Sequence, residues 1–156
     1  MSWKVFEEDS PELARLGYEK LNRKIAYLAT LKKDGSPRLH PVTPFIGNGM
    51  LFIFTEPSSP KIQDLRRDRR YALHCTVGGE GQLIEILISG EAVIISNPRV
   101  REQAESIAAS SVVIKSYVLF EFQVKQVLVV EYDDERKPVI HRWNRGNAEI
   151  SSIKKT

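Results

Sequence analysis

A single cysteine, Cys75, among 156 residues excludes an internal disulfide and gives no sign of an oxidising compartment. Long apolar runs are also missing. No stretch approaches the roughly 18 apolar residues of a membrane helix, and residues 1–10 lack the apolar core of a signal peptide. Together these absences predict a cytoplasmic protein with no membrane partner. Histidine is scarce too. His40, His74 and His141 are far apart, and no Cys-x-x-Cys or His-Glu-x-x-His pattern exists, so no metal site is expected. His74 and Cys75 are adjacent on a strand and point to opposite faces, which disfavours a local thiolate–imidazole pair. There is no Gly-x-Ser-x-Gly elbow, and Gly78, Gly79 and Gly81 sit between strands with no Lys-Ser/Thr behind them, as in a hairpin turn. Such a chain lacks the usual protein-only catalytic sets, so any chemistry would come from a cofactor.

What is present is an ordinary globular balance, 42% apolar and 28% charged, in a length that suits one domain over residues 1–156. The net charge of +3 is concentrated. Lys61, Arg66, Arg67, Arg69 and Arg70 crowd one segment against Asp64 and Asp68. Two readings stand: a solvated helix end, or a cationic patch for an anionic partner such as a phosphate or nucleic acid.

Periodicity divides the chain. Ser10, Pro11 and Glu12 open a helix carried by Leu13, Leu16 and Leu21. Residues 25–31 are apolar on both faces and predict a buried strand. Lys32-Lys33-Asp34-Gly35-Ser36 turns the chain, 38–45 forms a strand, Gly47-Asn48-Gly49 turns again, and 50–55 forms a third strand. A short helix follows Pro60. Strands are predicted at 71–77 and 82–95, the second with Ile84, Ile86 and Ile88 on one face and Glu85 and Ser89 on the other. Asn97-Pro98 opens a helix with Val100, Ala104, Ile107 and Ala108 on one side. Residues 117–132 make the longest strand, whose apolar phase slips near Gln126 as a bulge requires. A turn at 133–137, a last strand at 138–143 and a polar, loosely held tail at 145–156 complete the chain. About seven strands joined by short turns predict a mainly β fold, an antiparallel barrel with accessory helices.

Three places carry candidate chemistry. Ser58 and Ser59 precede the helix at Pro60, so their hydroxyls, the helix N-terminal amides and the Lys61 ammonium converge as a phosphate site would; a capped helix beside a solvated lysine is the alternative. The strand Arg38-Leu39-His40-Pro41-Val42-Thr43-Pro44 holds prolines that remove ladder donors, which makes it an edge. Arg38, His40 and Val42 share one face, and such a strand can lie along a planar ligand or be a protected edge. Trp143, a large aromatic in a polar segment, stacks on a ligand or partner or plugs a core.

In order and spacing these pieces resemble the pyridoxamine-5′-phosphate-oxidase-like family of flavin-binding split barrels. The resemblance rests on Ile25-Ala26-Tyr27-Leu28-Ala29-Thr30-Leu31, Asp34-Gly35-Ser36-Pro37-Arg38-Leu39-His40-Pro41-Val42, Phe52-Ile53-Phe54-Thr55, Ser59-Pro60-Lys61 with Asp64-Leu65-Arg66-Arg67-Asp68, and Ile88-Ser89-Gly90-Glu91-Ala92. It implies an FMN-binding split barrel and a homodimer holding flavin mononucleotide (FMN) at the subunit interface. Arg38, His40, Pro41, Val42 and Thr43 would lie along the isoalloxazine ring, and Thr55, Ser59 and Lys61 would hold the phosphate. Glu85 and Trp143 would reach in from the other subunit. The family's oxidases usually carry glutamine where Glu85 falls and end in Arg-Leu-x-Pro, so the resemblance does not extend to vitamin B6 oxidation.

The expectation is therefore a flavin-dependent oxidoreductase acting on a small molecule, with no assigned acid or base. The alternatives are a reductase of the same fold using the deazaflavin coenzyme, with Arg66, Arg67, Arg69 and Arg70 serving its anionic tail, and a non-catalytic flavin- or haem-binding protein. Nucleic acid is not an expected partner, because the arginine run has no interleaved aromatics.

Overall fold

The computed structural model describes residues 2–77, 83–109 and 115–154. In chain order they form α1 (Ser2–Asp9), α2 (Pro11–Leu21), β1 (Ala26–Leu31), β2 (Pro37–Val42), β3 (Phe45–Gly47), β4 (Met50–Thr55), α3 (Pro60–Arg67), β5 (Arg70–Val77), β6 (Ile84–Ile94), α4 (Pro98–Ile107), β7 (Val118–Tyr132), β8 (Pro138–Asn144) and β9 (Asn147–Lys154). The strands make one antiparallel sheet in the order β2-β1-β5-β6-β7-β4-β3, with β8 added to β7 and β9 to β8. The sheet curls into a split barrel. None of the described helices is long and apolar enough to cross a membrane.

The curl is built on β7. One edge of this strand pairs with β6 from Phe120 to Glu131. The other edge is shared, with β4 taking Val118 to Glu121 and β8 taking Gln126 to Tyr132. Between the two neighbours the backbone needs other partners. The Ser2 hydroxyl supplies one, accepting from Val124 N–H at 2.8 Å and donating to Phe122 C=O at 3.5 Å. Arg145 N–H caps the Lys125 carbonyl at 2.9 Å. On the β6 side, Ser89 faces Gln126 but Gly90 faces Val124, so Lys125 is the extra residue of a bulge. The apolar phase slip in the sequence has this bulge as its cause.

Gly90 makes the bulge possible. A Cβ there would lie 1.9 Å from the Gln123 carbonyl oxygen, far inside contact distance. Tyr71, opposite Gly90 on β5, covers the spot and donates its hydroxyl to the same carbonyl at 3.1 Å. The inward face of the sheet joins Leu28, Leu73, Ile86, Ile88 and Val129 to Trp3 and Phe6 of α1 in the main core. A second cluster lies where Ala104 of α4 meets Phe45, Met50 and Phe52.

Several expectations need correction. The strand expected at 25–31 is not buried on both faces: Ile25 is 67% and Tyr27 49% exposed, because no layer of the described residues covers that side of the sheet. Segment 38–45 is two strands, broken at Thr43-Pro44, where the Pro44 carbonyl instead accepts from Arg23 N–H. The tail is not loose over 147–154, since β9 pairs along β8 after a turn at Gly146 (φ +86°). Nine described strands therefore replace about seven. Ser10 gives no side-chain cap to α2, whereas Asn97 caps α4 through Arg99 and Val100 N–H. The turn expected at 78–81 lies outside the described residues.

Gly90→Ala should cost about 2–4 kcal/mol, since backbone must move to admit the methyl group. Urea unfolding checks this; a change under about 0.5 kcal/mol, the range of ordinary surface substitutions, would contradict the account of the bulge.

Candidate functional site

A cavity of about 510 Å³ opens where the end of β2, the end of β4 and the start of α3 meet. Its apolar wall is Ile25, Pro41, Val42, Phe45, Ile53, Phe54 and Tyr117. Its polar end is Thr43, Thr55, Glu56 and Lys61. That composition, mostly apolar with a few convergent polar groups, is the usual make-up of a small-molecule site.

The polar end is under-satisfied. Thr55 is 1% exposed, and its hydroxyl has no hydrogen-bond partner. Lys61, in the first turn of α3, is half-buried and donates to the Ser59 hydroxyl at 2.9 Å. No carboxylate lies within ion-pair distance of it among the described residues. Burial pushes the ammonium below its ordinary range, and Glu56 pulls it partly back. Ser59 precedes α3 without capping it through its side chain; its carbonyl takes Ile62 N–H at 3.1 Å and Pro60 has no N–H, so of the first-turn amides that of Lys61 is the one beside the cavity. Ser58 departs from expectation, because its hydroxyl and N–H both turn to the Glu56 carboxylate. Those hydrogen bonds hold Glu56 below the usual carboxylate range.

Behind the cavity, β2 alternates as its pattern predicts: Arg38, His40 and Val42 turn inward while Leu39, Pro41 and Thr43 turn out. It pairs only with β1, so it is the edge its prolines require. The inward residues meet α3. Arg38 Nε donates to Asp64 Oδ2 at 2.7 Å, and the Thr30 hydroxyl donates to the same oxygen at 2.8 Å. Thr30 and Arg38 are direct cross-strand partners, so one carboxylate clamps both strands. Arg67 approaches the other oxygen at 3.7 Å. Burial raises the Asp64 carboxyl, but the bonds from Arg38 and Thr30 and the nearby cations outweigh it and hold the group below its ordinary value. His40 Nε2 is buried without a partner.

The structure thus gathers Pro41, Val42, Thr43, Thr55 and Lys61 around one cavity, with Ser59 bonded to Lys61 and with Arg38 and His40 on the opposite face of β2 from Pro41 and Thr43. It does not bring Glu85 or Trp143 there. Glu85 is on β6, separated from β2 by β5 and β1, near His74 (3.9 Å) and the Tyr132 hydroxyl (3.5 Å). Of the two readings of Trp143, this chain shows a core packing: the side chain is 1% exposed, sits 5.0 Å from the Phe6 ring and donates to Asp9 at 3.2 Å. Asp64, Phe54 and Tyr117 were not singled out from the sequence. Asp64 had a usable signal, since it lies three residues after Lys61 on the same helical face. The arginine run is largely self-neutralised. Arg67 serves Asp64, and Arg70 binds Asp68, pulling that carboxyl down to about 2.

Because the Asp64 carboxyl is depressed, its stabilising effect is complete above the ordinary value of 3.8 and is lost as pH falls through the lower folded value. Asp64→Asn should therefore cost about 1–3 kcal/mol near neutral pH. The difference from wild type should shrink towards zero at pH below the folded value. Urea unfolding at neutral and acidic pH checks both parts.

Comparison with known proteins agrees with this architecture. The family model described as pyridoxamine 5′-phosphate oxidase matches residues 18–131. No curated protein matches the chain. PhzG from Burkholderia lata, solved with tetrahydrophenazine-1-carboxylic acid, superposes with a TM-score of 0.66 at 15% identity, covering 99% of this chain and 94% of that one. A FAD-binding protein from Mesorhizobium loti gives 0.62 at 20% identity, covering 77% and 95%. A haem-binding protein from Mycobacterium smegmatis gives 0.59 at 17% identity over 70% of this chain; the match spans about half (49%) of that protein's length. With the family match running from α2 through most of β7, and the split barrel shared by all three neighbours, the chain belongs to the pyridoxamine 5′-phosphate oxidase family.

Proposed function

We propose that this chain is an FMN-binding flavoprotein, working as a homodimer and as an oxidoreductase on a small molecule. The observation that carries the reading is the polar end of the cavity. Among the described residues, a buried hydroxyl without a partner, Thr55, stands with a half-buried ammonium that has no carboxylate partner, Lys61, at the start of α3, which Ser59 does not cap through its side chain. Buried polar groups are rarely left unpaired, and this donor set matches a phosphate. The apolar wall from Pro41 to Phe54 then suits the ring, and β2 offers its free edge alongside. Bound there, the flavin would supply hydride or electron transfer, with the protein providing position and electrostatics. Self-neutralisation of Arg67 and Arg70 favours FMN over the longer polyanionic deazaflavin coenzyme.

The dimer reading rests on the outer face. Leu39 is 67% exposed, and Leu39 and Tyr27 lie beside Ile25 and Pro41 at the cavity wall. A second copy laid on this face would bury those side chains and close the site.

Lys61→Ala should weaken FMN at least about tenfold, the scale of one lost charged hydrogen bond, while riboflavin, lacking the phosphate, changes little. Fluorescence titration with both ligands checks this, and equal weakening would remove the phosphate role. For the assembly, Leu39→Glu should convert a dimer to a monomer in sedimentation. A wild-type monomer, or a variant that stays dimeric, would overturn the interface.

A further inference from the structure

His40 has no role that its bonding explains. It faces inward between Arg38, which pairs with Asp64 of α3, and Val42, which lines the cavity with Lys61, and its Nε2 is buried without a partner among the described residues. The charged groups acting on His40 are Arg38 on β2 and Lys61 and Asp64 on α3. Opposite His40 on β1 stands Leu28, which is apolar. Two cations against one carboxylate leave one net positive charge. A phosphate monoester carries close to two negative charges near neutral pH. The pocket is therefore about one positive charge short of its ligand, and among the described residues there the group able to add it near neutral pH is the His40 imidazole.

Resting on the FMN reading, we infer that His40 takes up a proton from solvent when a phosphate monoester seats at Thr55 and Lys61, and so acts as a specificity-determining residue favouring a terminal phosphate over a phosphodiester. The free protein holds His40 neutral: burial first, then the Lys61 and Arg38 charges, push the imidazole below its ordinary value, with Asp64 opposing them. A dianion arriving beside it reverses the sign of the local field. Protonated, the ring donates through both nitrogens, and the orphaned Nε2 becomes a donor where an anion is the neighbour. A bridging phosphate, as in a dinucleotide, carries a single charge per phosphorus and has no second ionisation to match.

The test is calorimetric titration with FMN, riboflavin and FAD at about pH 7.5, where the monoester is essentially a dianion, in two buffers of different ionisation enthalpy. Wild type should take up a substantial fraction of a proton with FMN and close to none with riboflavin, and should bind FAD more weakly than FMN. Across about pH 6.5–8.5 its FMN affinity should fall with rising pH, by at most about tenfold per unit, the limit for one linked proton. His40→Gln should bind FMN with no uptake and a flat pH profile. Uptake that persists in the variant, uptake equal for riboflavin, or FAD bound as tightly as FMN overturns the inference. The wild-type comparison of FMN with riboflavin decides the matter even where the variant does not fold. FMN binding without proton uptake removes this inference alone; failure of FMN to bind removes the flavoprotein reading with it.

Discussion

Strand β7 must satisfy three neighbours at once, and most of the molecule follows from how it does so. A strand has two hydrogen-bonding edges. Here one is given wholly to β6 and the other is divided between β4 and β8. Dividing an edge means the two claimants diverge, so the strand must bend where they part. The bulge at Lys125 provides the bend, and Gly90 is the one residue on β6 that lets the two backbones approach closely enough. The divergence separates the β3–β4 hairpin from the β8–β9 hairpin, which is what splits the barrel. Because β4 ends at Thr55, the same divergence fixes where the cavity lies.

Helix α3, which brings Lys61 to the cavity, is tied to the sheet by Ile62 and Leu65 in the core and by one carboxylate. Asp64 takes one bond from each of β1 and β2 and faces a cation on its own helix. Buried ion pairs are weak sources of net stability, because desolvation offsets most of the attraction. Their better-attested use is to fix an arrangement. Here the arrangement sets the register of α3 against β2 and thereby the spacing between Lys61 and the inward face of the edge strand. A functional distance is thus set by a residue that does not line the cavity.

Much of this was legible in the sequence because the relevant signals are local. Alternation gave the inward face of β2 and of β6; Asn97-Pro98 marked a helix start; the slip at Gln126 marked the bulge. The polar end of the cavity was legible for the same reason, since Ser59, Pro60 and Lys61 are neighbours in the chain. What failed to show was whatever depends on distant segments. Trp143 looks like a ligand-facing ring within its polar stretch, and only α1, more than 130 residues earlier, turns it into core through Phe6 and Asp9. Helix α1 itself carries just Trp3 and Phe6 as a periodic signal, too short to stand out. The polar tail became β9 because β8 offered an edge, and composition says nothing about available edges.

The Ser2 hydroxyl belongs to the sheet as much as any strand residue does, since it completes the ladder at Val124, a partner 122 positions away. The two ends of that contact are synthesised 122 residues apart. Until β7 has left the ribosome, α1 has no backbone to bond and Trp3 and Phe6 have no finished cavity to fill. Helix α1 is therefore made well before it can dock, and the contact it closes is of the non-local kind whose loop entropy slows folding.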